Sequence, residues 1–202
     1  LLKNYNIDVI IDVGANIGQY GAELRNIGYQ GKIISFEPTS EAFEKLKKNA
    51  SRDSLWEVYN MSLGERDGES TINISKNSVS SSILKDLPQL TESAPEATFI
   101  KKEVITIKKL DSIFKDLKIT GKNIYLKIDT QGSEFEILSA LGAHRPFLIC
   151  AECATTEIYK GQKTIFAVGA LLENLGYFPL DLMDGHLISK TLSNWRNSTQ
   201  LY

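Results

Sequence analysis

Four acidic residues stand where apolar runs end: Asp12 after Val9-Ile10-Ile11, Glu37 after KIISF, Asp129 after NIYLKI and Glu152 after FLICA. Like charges repel, so carboxylates gathered on one rim are costly unless a cation or a proton transfer uses them. Glu134, in the first turn of the helix expected after Gly132, points toward the same rim. Asp129 and Glu152 are candidates for general base or for orienting a substrate, with Glu134 beside them. An ion pair with Lys127 or Arg145 is the plain alternative for the first two, and a favourable helix-dipole charge for Glu134.

The segment "DVGANIG", residues 12–18, puts Gly14 and Gly18 around Asn16 directly behind an apolar run. Glycine there lets a ligand approach the main chain closely. A dinucleotide fingerprint G-x-G-x-x-G would need glycine at 14, 16 and 19, and the chain has Gly14, Asn16 and Gln19. A carboxylate at Asp12 suits a cation better than a pyrophosphate. S-adenosylmethionine, with a sulfonium and an ammonium, is such a cation. Glu37 is placed to accept both hydroxyls of a ribose. The spacing therefore favours a methyl donor. A nicotinamide-dependent oxidoreductase and a non-catalytic cofactor-binding module remain as rivals.

Other chemistries find little support. Cys150 lies in an apolar strand and Cys153 has no neighbouring His or Lys to activate it. His144 and His186 both fall in expected turns without ligand spacing, and no metal site is read. The Asp129-Thr130-Gln131-Gly132 turn does not match the N/D-P-P-Y/F loop of base amino-methylases.

These residues need elements to carry them. The β-branched run at Val9 reads as a parallel strand buried on both faces, followed by a helix over 17–27. Strands at 32–36, 56–60, 123–128, 147–151 and 177–182 alternate with helices at 41–49, 133–141 and 164–175. Residues 69–74 and 103–107 alternate polar and apolar, as antiparallel strands do. A short helix is expected from Leu110. Ser80, Ser81 and Ser82 lie in an irregular stretch that reads as an acceptor lid or as an ordinary mobile loop. The pattern predicts an open, mostly parallel α/β sheet.

At 202 residues, 42% hydrophobic and 24% charged, the chain fits one domain over 1–202. A net charge of −2 gives no support to a nucleic-acid or membrane partner. No apolar stretch is long enough to span a bilayer. Two cysteines are too few for a disulfide framework, which points to a reducing, cytoplasmic setting.

The segments "DVGANIGQYGAELRNIGYQGKIISFEP", "LGERDG", "SSSIL", "LDSIF", "LKIDTQGSEFEIL" and "AECATTEIY" together resemble the FkbM family of S-adenosylmethionine-dependent methyltransferases. The resemblance implies the class I methyltransferase fold, a Rossmann-like seven-stranded sheet with its last strand antiparallel. It implies O-methylation of a sugar, glycan or natural-product hydroxyl. By position, Asp12, Gly14, Asn16 and Gly18 would line the methionine part of the cofactor, Glu37 its ribose and Ser62 its adenine. Asp129 would sit beside the methyl group, with Glu134 and Glu152 near the acceptor. The chain stops at Gln200-Leu201-Tyr202, so the closing strand is expected there and incomplete.

Overall fold

Strand β1 (Val9–Val13) is buried along its whole length, as its β-branched run requires. It feeds α1 (Gln19–Asn26), β2 (Lys32–Phe36), α2 (Ser40–Ala50) and β3 (Trp56–Tyr59). The computed structural model describes residues 5–88, 92, 94–120, 123–183 and 185–191. An excursion follows β3: β4 (Ser62–Gly64), β5 (Gly68–Ser75), a single 3-10 turn at Pro95–Ala97 and β6 (Phe99–Lys109). The chain then returns through α3 (Leu110–Asp116), β7 (Ile124–Ile128), α4 (Glu134–Ser139), β8 (Leu148–Glu152), α5 (Ile165–Asn174), β9 (Tyr177–Met183) and β10 (His186–Thr191).

The main sheet has seven strands in the order β3-β2-β1-β7-β8-β10-β9. All neighbours from β3 to β8 run parallel, and β10 runs antiparallel to both β8 and β9. One core face packs Ile11, Val13, Ile34 and Leu126 against α3, α4 and α5, through Ile113, Leu138 and Val168. The other packs Ile10, Ile33 and Leu148 against Leu24 of α1 and Leu46 of α2. Helices thus cover both faces, the solution expected for a sheet buried on both sides.

The chain runs outward from β1 to β3 and then restarts at β7 on the other side of β1. Loops leaving β1 and β7 therefore diverge and open a crevice at the sheet's carboxyl edge, the usual ligand position in open α/β sheets. Strands β4, β6 and β5 form a second, three-stranded sheet beside that crevice.

The closing strand corrects the sequence expectation. Residues Gln200–Tyr202 lie outside the described residues, and an antiparallel strand between β8 and β9 runs earlier, at His186–Thr191. His186, expected in a turn, is the first residue of that strand and pairs with Glu152. The segment HLISKT is short, and its strand character comes from partners on both sides, which local sequence does not display.

Candidate active site

The first crossover is stitched to its neighbours by main-chain bonds. Gly14 and Ala15 both donate their N–H to the Phe36 carbonyl at 3.0 Å, and Asp129 donates to the Val13 carbonyl at 3.0 Å. Gly14 has φ +81°, and a Cβ there would lie 1.8 Å from the Asp129 carbonyl oxygen, so only glycine fits. Asn16, at φ +48°, accepts the Ile17 N–H on its own Oδ1 at 2.7 Å, which stabilises the left-handed turn. Gly18 has φ +91°, and a Cβ there would lie 2.8 Å from Leu46 Cδ1. Gly18 therefore serves the approach of α1 to α2 and does not line the crevice.

A cavity of about 380 Å³ opens over these loops, within the range of small-molecule and cofactor sites. Gly14, Asn16, Glu37 and Ser62 line one side of it, and Asp129 and Gln131 the middle. Tyr20, Tyr125, Cys150 and His186 line the other side. Ile72, Val79, Ser81 and Ile83, from β5 and the turn after it, border the cavity.

Glu37 is buried and its carboxylate is fixed by three donors. Asn16 N–H reaches Oε2 at 2.9 Å, and the Thr39 N–H and hydroxyl reach Oε1 at 2.9 and 2.5 Å. Burial pushes its carboxyl above the ordinary value against these bonds. Each carboxylate oxygen carries two lone pairs, so Oε1 is filled by its two donors and one acceptor position remains, on Oε2.

Asp12 requires a correction. It does not line the cavity: its side chain is fully buried, and its Oδ1 lies 3.3 Å from Lys127 Nζ. Asp12 and Lys127 are direct partners in the β1–β7 register. The Ser35 hydroxyl donates to Asp12 Oδ2 at 3.4 Å and itself accepts the Trp56 indole N–H at 3.0 Å. A charge this deep must be paired, and Asp12 acts from beneath the floor through Lys127. Burial raises the Asp12 carboxyl against the pull of Lys127.

Lys127 Nζ also lies 3.3 Å from Asp129 Oδ2, which makes a buried carboxylate–ammonium–carboxylate row. Burial alone would weaken the ammonium, but Asp12 and Asp129 outweigh it and hold Lys127 above its ordinary pKa. Burial pushes Asp129 upward too, yet the Glu152 hydrogen bond and Lys127 hold it below the ordinary carboxylate range. Its hydrogen bond to Asp129 and its burial push Glu152 up to about 8. At neutral pH the pair therefore holds one proton between its two carboxyl groups.

Glu134 is corrected as well. It is buried, and its Oε1 accepts the Thr130 N–H, the Thr130 hydroxyl and the Gly132 N–H, each at 3.0 Å. Burial raises its carboxyl. Those bonds make it the clamp of the 130–132 turn, turned away from the cavity. The serine stretch is tied down: Ser82 is buried and its hydroxyl donates to the Gln131 carbonyl at 2.6 Å. Ser81 lines the cavity, while Ser80 accepts a bond from Asn77 at 3.0 Å.

Lys127, Gln131 and His186 escaped the sequence reading as site residues. A lysine inside an otherwise apolar strand was the available signal, since a buried ammonium needs carboxylate partners. Among the described residues that line the cavity, Lys127 is the one Lys or Arg, and two carboxylates already neutralise it. Glu23, Glu37 and Asp129 leave the lining acidic. That donor set fits a cationic sulfonium and offers a phosphate chain no free cation.

The model of the methyltransferase FkbM domain matches residues 12–179. The chain belongs to the FkbM methyltransferase family. It is a methyltransferase, and its cofactor is S-adenosylmethionine. Solved structures agree on the fold. A putative caffeoyl-CoA O-methyltransferase from Staphylococcus aureus is 13% identical at a TM-score of 0.51, over 94% of this chain and 78% of that one. TrmK of M. capricolum, in complex with S-adenosylhomocysteine, is 10% identical at 0.51, over 93% of this chain and 63% of that one. No curated protein matches the chain. Among the described residues no helix is long and apolar enough to cross a membrane.

Proposed function

We propose that this methyltransferase acts on oxygen, with a hydroxyl of a sugar, glycan or small natural product as acceptor. One observation carries the reading: the Asp129 carboxylate lines the cavity, paired with a buried Lys127 at 3.3 Å and bridged to Glu152 by the Gln131 amide. A hydroxyl must shed a proton as it is methylated, and a placed carboxylate can accept it.

When bound, S-adenosylmethionine supplies an electrophilic methyl group on its sulfonium. Asp129 is the proton acceptor in this reading, and Glu152, hydrogen-bonded to it, completes the acid–base pair. Lys127 keeps Asp129 ionised, and Asp12 keeps Lys127 charged. Glu37 accepts from a ribose hydroxyl on its Oε2, Gly14 and Asn16 border the methionine end, and Ser62 borders the adenine. Gly18 and Glu134 shape the two loops without touching the ligand. We assign the work to one domain over 1–202, in the cytoplasm and without a nucleic-acid partner.

Incubation with methyl-labelled donor and a panel of polyhydroxylated acceptors tests the reading. Label in an alkali-stable ether supports it. Label on nitrogen overturns the O-methyl assignment, and donor binding without any transfer indicates a cofactor-binding module.

A further inference from the structure

Gln131 sits where the elements of the site meet. Its backbone is left-handed, φ +55°, a conformation that non-glycine residues seldom adopt without a functional or structural reason. Its Nε2 donates to Glu152 Oε2 at 2.9 Å and to Asp129 Oδ1 at 3.3 Å. Its Oε1 accepts the Tyr159 hydroxyl at 3.1 Å, and its carbonyl accepts the Ser82 hydroxyl.

A primary amide could face the carboxyl pair with either end. Turned over, its oxygen would meet the ionised Asp129 and be repelled, and its N–H bonds to the pair would be lost. The carboxyl pair therefore sets the amide, and Tyr159, whose hydroxyl can donate or accept, buttresses it. Its ring is fully buried, and its phenolic O–H is a donor aimed at the amide oxygen. The same hydroxyl lies 3.3 Å from the Ser80 carbonyl, so the turn beside the cavity and the amide share one donor.

We infer that Gln131, buttressed by Tyr159, is the positioning residue of the Asp129–Glu152 pair. Its two N–H bonds hold both carboxyl groups around a single proton, and its links to Ser82 and Tyr159 join that proton to the 78–83 turn. The inference rests on the O-methylation reading only for its catalytic meaning, because its test is a titration that needs no acceptor.

Several other groups act on the pair. Lys127 of β7 and Asp12 of β1 lie below it. Glu134 of α4 and the thiols of Cys150 and Cys153 lie around it, and His186 of β10 pairs with Glu152 across the ladder. None of these is altered when Gln131 or Tyr159 is replaced. The fully ionised pair benefits most from the two amide donors, so their removal makes the last proton harder to lose.

The experiment is a ¹³C NMR titration of the whole chain carrying carboxyl-labelled Asp and Glu, with Glu152→Gln to assign the signal. In the parent protein the last proton of the pair leaves near the value of about 8 given by the site. Gln131→Ala should raise that midpoint by about one pH unit, the scale of a lost charge-assisted hydrogen bond. Tyr159→Phe should raise it by less, because the amide keeps its bonds to the pair and loses only its buttress. A midpoint within ~0.2 of the parent, or a lower one, in the folded Gln131→Ala protein overturns the inference. If that variant does not fold, Tyr159→Phe is read by the same two outcomes. Failure to methylate any hydroxyl, with the titration shifting as described, sinks the O-methyl assignment and leaves the role of Gln131 standing.

Discussion

Glu37 on one side of the crevice and Glu152 on the other are both strand-end glutamates, yet they are held by different means. Glu37 is anchored by two main-chain N–H groups and one threonine hydroxyl. Among the described residues Glu152 is held by side chains, the Gln131 amide and the Asp129 carboxyl. Main-chain donors do not titrate or rotate, so the β1–β2 side suits binding in one fixed geometry. Side chains do both, so the β7–β8 side suits moving a proton. The same residue type becomes a fixture or a reagent according to what holds it.

The comparison breaks first at Asp129. Asn in its place keeps the shape but removes the base, and label transfer to a hydroxyl acceptor should fall by about 10²–10⁴-fold. Binding of S-adenosylhomocysteine, measured calorimetrically, should change far less. Equal losses in both measurements would mean that the two sides are not separable.

Lys127→Met comes next. It strands Asp12, fully buried, without its partner. Leaving a buried charge unpaired costs roughly 3–5 kcal/mol, which chemical denaturation would register. The double variant Asp12→Leu with Lys127→Met should recover much of that loss.

Gly14→Ala tests the fixed side. A Cβ 1.8 Å from a main-chain oxygen cannot be accommodated by side-chain motion alone. A loss on the order of 3 kcal/mol, visible as a lower Tm, is expected. Glu37→Ala removes an acceptor of a ribose hydroxyl and should weaken S-adenosylhomocysteine about 10–100-fold, from a lost hydrogen bond to a charged group. Transfer at saturating donor should be far less affected, the reverse of Asp129→Asn.

The proton-moving side is also open to a test by the pH dependence of stability. Glu152 keeps its proton in the folded chain up to about 8, whereas unfolded it loses it near 4.5. Across that window the folded state binds more protons, so the Glu152 contribution to stability declines as pH rises and levels off above it. Melting curves from pH 5 to 9 should show this slope, and Glu152→Gln should flatten it.

Much of this was legible in the sequence because it is local. The β-branched run at Val9–Ile11, the helices and the glycine turn all declare themselves within a few residues, and the family motifs lie in the same segments. The missing parts are those fixed by pairing. Strand β4 has three residues and exists through its ladder with β6, and β10 through its ladders with β8 and β9. Which face Asp12 takes is set by the β1–β7 register, and a strand buried on both sides carries no periodicity to reveal it. Gln131 gains its place through residues 21 and 28 positions away, Glu152 and Tyr159.

Strand β10 is the last described strand in the chain, yet it lies in the interior of the sheet, between β8 and β9. During synthesis β8 emerges with one flank vacant and must wait for a segment some 34 residues downstream, from Glu152 to its partner His186. His186 enters the crevice wall with that strand, so a ribosome-bound chain lacking β10 has neither a closed sheet nor a finished wall. One strand therefore closes the sheet beside β8 and supplies a residue of the crevice wall.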